Sequence, residues 1–244
     1  MTAVVVARQG VTGCPYRPDP PAAQLVTDRA RAVAGLLLFA LPAVLVACAR
    51  DRLTRTVDMP LSQFVLDHRT PAMDVLARQV TSLGGSGFIY PAGVLLGFLA
   101  LPRCRVLAGM VWASTAARPV IELLAKLSFD RDRPDLSRLV PGNGPSFPSG
   151  HVLATALFWG LVPAVVALYA RKRAVVRAAS VAAVLLFLAI GCSRVYLGVH
   201  WPTDVVGGWG LGLALLMVVR LCTAAHHATR PCLSATADRD SRTD

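Results

Sequence analysis

Three short polar islands interrupt an otherwise apolar chain: Lys126 with Arg133-Pro134, then Pro148-Ser149-Gly150-His151, then Ser193-Arg194 followed by His200 and Asp204. Together they bring cations, hydroxyls, two imidazoles and a carboxylate. These are the groups needed to hold a phosphoryl group and pass it through a histidine.

A phosphoryl group in transfer spreads negative charge over three equatorial oxygens, so its catalyst needs fixed cations and hydrogen-bond donors around it. Lys126, Arg133 and Arg194 supply the cations, Arg as a planar fork and Lys as a movable point charge. Ser149 offers a hydroxyl donor. The backbone N–H of Gly150, at a helix start and with no side chain in the way, can approach a phosphate oxygen. His200 and Asp204 are four apart across a loop-to-helix junction. That spacing lets the carboxylate hold one imidazole nitrogen while the other attacks phosphorus. His151 is then placed to protonate the leaving oxygen and afterwards to activate water. The path is two in-line displacements through a phosphohistidine, and the residues present call for no metal or other cofactor. Each island alone has a plainer reading: Ser-Gly before a helix is commonly an N-cap, and a lone Arg near a membrane is commonly an interfacial anchor.

The elements that must position these residues are membrane helices. Of the 244 residues 55% are hydrophobic and mean hydropathy is +0.55, too apolar for an ordinary soluble domain. Six stretches approach the roughly 20 residues that cross a bilayer core, near 32–49, 84–101, 106–125, 151–170, 175–192 and 204–221. The expected fold is therefore all-α, a six-helix polytopic bundle over 29–221, with a flexible cytoplasmic arm at 1–28 and a flexible tail at 222–244. Residues 51–80 alternate apolar and charged positions between Pro60 and Pro71 and read as short interfacial helices on the outer face. The tight turn at 101–105 makes spans two and three an antiparallel hairpin. The third span carries Arg118, Glu122 and Lys126 on one face, either as a structural ion pair or as substrate contacts. In this topology all three islands open on one side of the membrane.

The net charge of +11 fits topology better than nucleic-acid binding, because the basic residues are not gathered on a soluble face. With both termini in the cytoplasm, the inner segments 1–31, 102–105, 171–177 and 220–244 hold 14 Lys and Arg against 5 acids, the positive-inside pattern. The six cysteines have neither metal-ligand spacing nor a disulfide framework. Val11-Thr12-Gly13-Cys14 looks superficially like a lipidation box but lacks the apolar run and basic start that such a signal needs.

The islands resemble the type 2 phosphatidic acid phosphatase superfamily, with its three-part signature Lys-x6-Arg-Pro, Pro-Ser-Gly-His and Ser-Arg-x5-His-x3-Asp. Every signature position is present, and the likeness covers about 60–220. It implies a metal-independent membrane enzyme with Lys126, Arg133, Ser149, Gly150 and Arg194 on phosphate, His151 as general acid, His200 as nucleophile and Asp204 as its orienting partner. It also implies lipid phosphates or prenyl diphosphates as substrates and, for a bacterial-type plasma-membrane protein, an active site on the outer face. Undecaprenyl or decaprenyl diphosphate is the first expectation, phosphatidic acid or phosphatidylglycerol phosphate the rivals. Haloperoxidase chemistry and soluble esters fit a membrane-embedded site poorly. A non-catalytic phospholipid-binding or transport protein fits poorly beside intact His151, His200 and Asp204.

Overall fold

The computed structural model describes residues 50–229 together with 41 and 44, and side chains as far as 223. The expected arm at 1–28, the body of the first span and the tail beyond 229 lie outside the described residues. Among the described residues the chain is helical and contains no strand.

A short helix α1 (Arg50–Leu53) runs through a π-helical turn (Thr54–Asp58) directly into α2 (Met59–Asp67). Then follow α3 (Pro71–Ser82), α4 (Ser86–Ala100), α5 (Arg105–Phe129), α6 (Gly150–Ala167), α7 (Arg173–Tyr196) and α8 (Pro202–Thr229). Local chemistry explains several boundaries. Pro71 at the first helical position and the Thr70 hydroxyl, which accepts from Met73 N at 3.3 Å, start α3. Asp130, at φ 28°, turns the chain out of α5, a conformation that Asp tolerates better than most residues.

α6 is the hub, apolar on every face and packed against α4, α5, α7 and α8. Val152, Leu153, Ala154, Ala156 and Leu157 are all buried, and they join Ile89, Val111, Leu161 and Leu216 in the core. Small residues let α8 approach α6 closely, as is usual where helices meet in a membrane. A Cβ on Gly208 would stand 2.9 Å from the Ser149 carbonyl, and one on Gly212 would collide with Ala156. That closeness brings the starts of α6 and α8 together, and Ser149 N donates to the Asp204 carbonyl at 3.2 Å.

The outer faces are apolar and exposed: Leu95 and Phe98 on α4, Leu124 and Leu127 on α5, Val181 and Leu185 on α7. Such a belt suits lipid. Among the described residues three helices are long and apolar enough to cross a membrane, Gly150–Ala167, Arg173–Tyr196 and the Pro202–Thr223 part of α8. A fourth span arises if α3 and α4, bent by 41° at their junction, count as one broken crossing. The expected count of six is therefore not reached on the described residues. The reasons are physical: α4 has only 15 residues, and α5, with 25, carries Arg105, Arg118, Glu122 and Lys126. The first expected span falls almost wholly outside the described residues.

The 51–80 segment is helical, as expected. Met59, Leu61, Phe64, Met73, Val75 and Leu76 are exposed, whereas Asp58 and Ser62, with Thr81 just beyond the segment, are buried against the bundle.

Candidate active site

All the predicted site residues lie at one end of the bundle, on the last turns of α5 and α7, the first turns of α6 and α8, and the two loops joining them. The opposite end holds the basic turns, where Arg103 donates to the Leu168 carbonyl at 2.6 Å and lies 4.0 Å over the Tyr169 ring.

His200 sits in the short loop before α8, 3% exposed. Its Nδ1 faces Asp204 Oδ2 at 3.6 Å, and its Nε2 lies 3.3 Å from Arg133 Nη1. A guanidinium can only donate, so Nε2 is the acceptor and the ring proton belongs on Nδ1, toward the carboxylate. Burial pushes the imidazole down to about 4, against the opposing pull of Asp204 and with Arg194 and Arg133 adding to the fall. The ring is therefore neutral near pH 7 and Nε2 keeps its lone pair.

Asp204 is fully buried and occupies the third position of α8, after Pro202 and Thr203. Pro202 opens this helix, and the Asp204 carboxylate reaches back to accept Trp201 N at 2.9 Å, half of a capping box.

Arg133 spans the mouth of the loop. It donates to the carbonyls of Gly144 and Asn143, both at 2.9 Å, and of Val199 at 2.8 Å, while keeping its contact with His200. Burial lowers its pKa, with Arg138 adding to the effect and Asp204 and Glu122 opposing it, but a guanidinium stays charged. Arg194, 5% exposed in the last turn of α7, donates to Thr81 Oγ1 at 2.9 Å, whereas its Nε is buried without a partner.

Ser149 precedes α6 but does not cap it. The hydroxyl makes no capping bond, and Oγ is buried with no hydrogen-bond partner. The plain N-cap reading therefore fails at this serine. Buried polar atoms are rarely left unpaired, and Ser149 Oγ and Arg194 Nε are two such donors at this end of the bundle. His151 follows on the first turn of α6, within electrostatic reach of His200, Arg194, Arg118 and Lys126. On the α5 side, Glu122 bridges Lys126 at 2.8 Å and Arg118 at 3.6 Å. Its carboxylate lies so close to Gly150 that a Cβ there would collide with it. The sequence reading left these two residues as an ion pair or as substrate contacts; they form an ion-pair ladder whose carboxylate reaches the start of α6.

Sequence reasoning missed Arg131, Asp58, Thr54 and Thr203. Arg131 Nη1 donates to Asp204 Oδ1 at 2.6 Å and to Thr203 Oγ1 at 2.8 Å. Its Nη2 donates to Asp58 Oδ2 at 2.6 Å and to the Thr54 hydroxyl. Arg131 stands two residues from a signature arginine, the only hint of its role. Nothing distinguishes Asp58 from the other charges of its segment.

The family model of the PAP2 superfamily matches residues 106–228, from the start of α5 to the end of α8. The chain belongs to the PAP2 superfamily. Phosphatidylglycerophosphatase B of Bacillus subtilis is 32% identical over 191 residues, covering 76% of this chain and 91% of the relative. Among solved structures, the PAP2-type phosphatidylglycerolphosphate phosphatase of Bacillus subtilis is 25% identical with a TM-score of 0.69, covering 82% of this chain and 98% of the other. Aquifex aeolicus LpxE, 24% identical with a TM-score of 0.54, covers 68% and 95% and shares the fold. This PAP2 protein is accordingly a multi-pass membrane protein and a metal-independent lipid phosphatase.

Proposed function

We propose that the enzyme hydrolyses the terminal phosphomonoester of phosphatidylglycerol phosphate through a phosphohistidine on His200. The single observation that carries the chemistry is the two-sided setting of His200, with Nδ1 toward Asp204 and an unprotonated Nε2 beside Arg133. In the first step Nε2 attacks phosphorus and the bond from phosphorus to the lipid oxygen breaks. His151 gives that oxygen its proton. In the second step His151 takes a proton from water, the hydroxide oxygen attacks phosphorus, and the P–N bond breaks to release phosphate. Lys126, Arg133, Arg194, the Ser149 hydroxyl and the Gly150 N–H hold the three equatorial oxygens while Asp204 stabilises the charged ring.

The choice of lipid rests on the relatives, two of which are named for phosphatidylglycerol phosphate. They favour this monoester over the prenyl diphosphate that the sequence alone put first. Purified protein offered phosphatidylglycerol phosphate, phosphatidic acid and undecaprenyl diphosphate decides between them by phosphate release. The expected result is fastest turnover of phosphatidylglycerol phosphate, abolished by His200→Ala. Preference for the diphosphate overturns the substrate, and activity surviving in His200→Ala overturns the nucleophile.

The site end is read as facing outward, with both termini in the cytoplasm. The supporting feature is the separation of the basic turns at Arg103 and Arg171-Lys172-Arg173 from the site by the length of the bundle. Labelling of single cysteines placed in the 135–145 loop and at 171–173 tests this. An impermeant reagent added to intact cells should reach the first and not the second.

A further inference from the structure

Arg131 and Arg133 are neighbours in one loop and have different work. Arg133 touches His200; Arg131 reaches the far side of Asp204 and never meets the reacting ring. Arg131 is 6% exposed and both of its carboxylate partners are fully buried. Asp58 in turn accepts from Thr203 N at 2.9 Å and Thr203 Oγ1 at 2.7 Å. The π-helical turn, the loop after α5 and the start of α8 are thus tied by one largely buried network that ends on the carboxylate facing His200. A π-turn at such a place is a common companion of functional sites.

The distribution of bonds over Asp204 is specific. Oδ1 is taken by Arg131, and Oδ2 accepts the Trp201 amide and faces His200 Nδ1. A carboxylate anchored at one oxygen is hindered from rotating, so its other oxygen stays turned toward the imidazole, 3.6 Å from Nδ1. The charges are equally particular. Two buried carboxylates against one guanidinium leave one net negative charge beside a neutral ring. That charge is balanced when Nε2 takes the phosphoryl group and the ring becomes cationic. An anchor alone does not need this: a buried ion network costs desolvation that apolar residues of the same volume avoid.

We propose that Asp58 and Arg131 are positioning residues for His200, clamping Asp204 by Oδ1 so that Oδ2 stays aimed at Nδ1 with Nε2 unprotonated, and setting the negative charge the ring feels. This rests on the reading of His200 as nucleophile. Other charged or titratable groups face the ring from every side: Arg133 from the loop, Arg194 from α7, His151 from α6 and Asp204 from α8.

The test uses the purified full-length protein and one lipid substrate throughout, so that the substrate's own ionisation is common to all variants. Arg131→Gln is expected to lower kcat by roughly 10- to 100-fold with KM little changed, the pattern of an interaction felt in the transition state. Its acid limb in kcat/KM moves to higher pH, because two carboxylates then act on His200 with no cation between them. Asp58→Asn moves the limb the other way, since one carboxylate is gone. Arg131→Lys restores the limb toward the wild type but not the full kcat, having the charge without the fork. Folded variants with wild-type kcat and an unmoved limb overturn the proposal. So does a raised KM at constant kcat, which makes Arg131 a substrate contact. Should Arg131→Gln fail to fold, the limb of Asp58→Asn decides alone: a downward shift supports the proposal and no shift overturns it. His200→Ala run alongside separates the two readings, since activity there sinks the nucleophile itself, whereas a dead His200→Ala beside wild-type-like Arg131 and Asp58 variants sinks only the clamp.

Discussion

On the Asp204 side of the site, Arg131 spreads its bonds over Asp58, Thr54, Thr203 and Asp204, and these groups are buried or nearly so. On the α5 side, Glu122 and Lys126 each remain 19% exposed and are joined by an ion pair along one helix face. Between them lie Ser149 Oγ and Arg194 Nε, buried donors with no partner. The contrast separates two tasks. The saturated side spends its donors on Asp58, Thr203 and Asp204, whereas the open side pairs its cations with a single carboxylate, Glu122. Breaking a buried charged network such as that of Arg131 costs about 3–5 kcal/mol.

The largest effect is expected where the saturated side meets the nucleophile. Asp204→Asn leaves the shape but removes the charge that holds Nδ1–H, and kcat should fall by roughly 10³–10⁴, the scale seen when a catalytic histidine loses its carboxylate. A loss below tenfold, measured on folded protein, breaks the comparison at its firm end. Next comes Gly150→Ala, whose Cβ would strike the Glu122 carboxylate. We expect kcat/KM to drop by roughly tenfold or more, the scale of about 1–3 kcal/mol of overpacking. The double variant with Glu122→Ala should recover much of that loss. No recovery means that Glu122 is not what limits space at the start of α6.

Glu122→Gln is a smaller change and sharpens the comparison. It keeps the size but removes the anion that competes for Lys126 and Arg118. Inhibition by inorganic phosphate should tighten several-fold, since about 1 kcal/mol corresponds to a factor near five. Weaker inhibition shows instead that Glu122 helps to order the cations. Smallest is the wild-type pH effect. With the neutral ring as the proposed nucleophile, activity is lost as pH falls through the ring's pKa. With burial holding that value at about 4 rather than 6.5, activity corrected for substrate ionisation should stay level to about pH 5. A limb centred near 6.5 in a His200-dependent reaction contradicts so dry a site.

The signature residues, on both sides, were the more legible in the sequence. Lys126, Ser149, Gly150, His151, Arg194, His200 and Asp204 fall at helix ends, and antiparallel helices of similar length bring alternate ends to one side whatever their detailed packing. The spacing of His200 and Asp204 carried the rest. The saturated side was hidden because its partners are remote in sequence: Arg131 and Asp58 are 73 residues apart, and Asp58 is 145 from Thr203. The span expected near 84–101 coincides with α4 (Ser86–Ala100), which at 15 residues is long enough to cross only if α3, bent from it by 41°, counts with it.

The central claim is covalent transfer to His200, and trapping the phosphoenzyme tests it most directly. Purified enzyme mixed briefly with phosphatidylglycerol phosphate carrying a radiolabelled terminal phosphate is quenched in alkali, where phosphohistidine survives, digested and sequenced by mass spectrometry. The account predicts label on the peptide containing His200, at Nε2, absent from His200→Ala and accumulating in His151→Ala when water activation is slowed. Label on another residue, or full turnover with no protein-bound phosphate at any time, contradicts it.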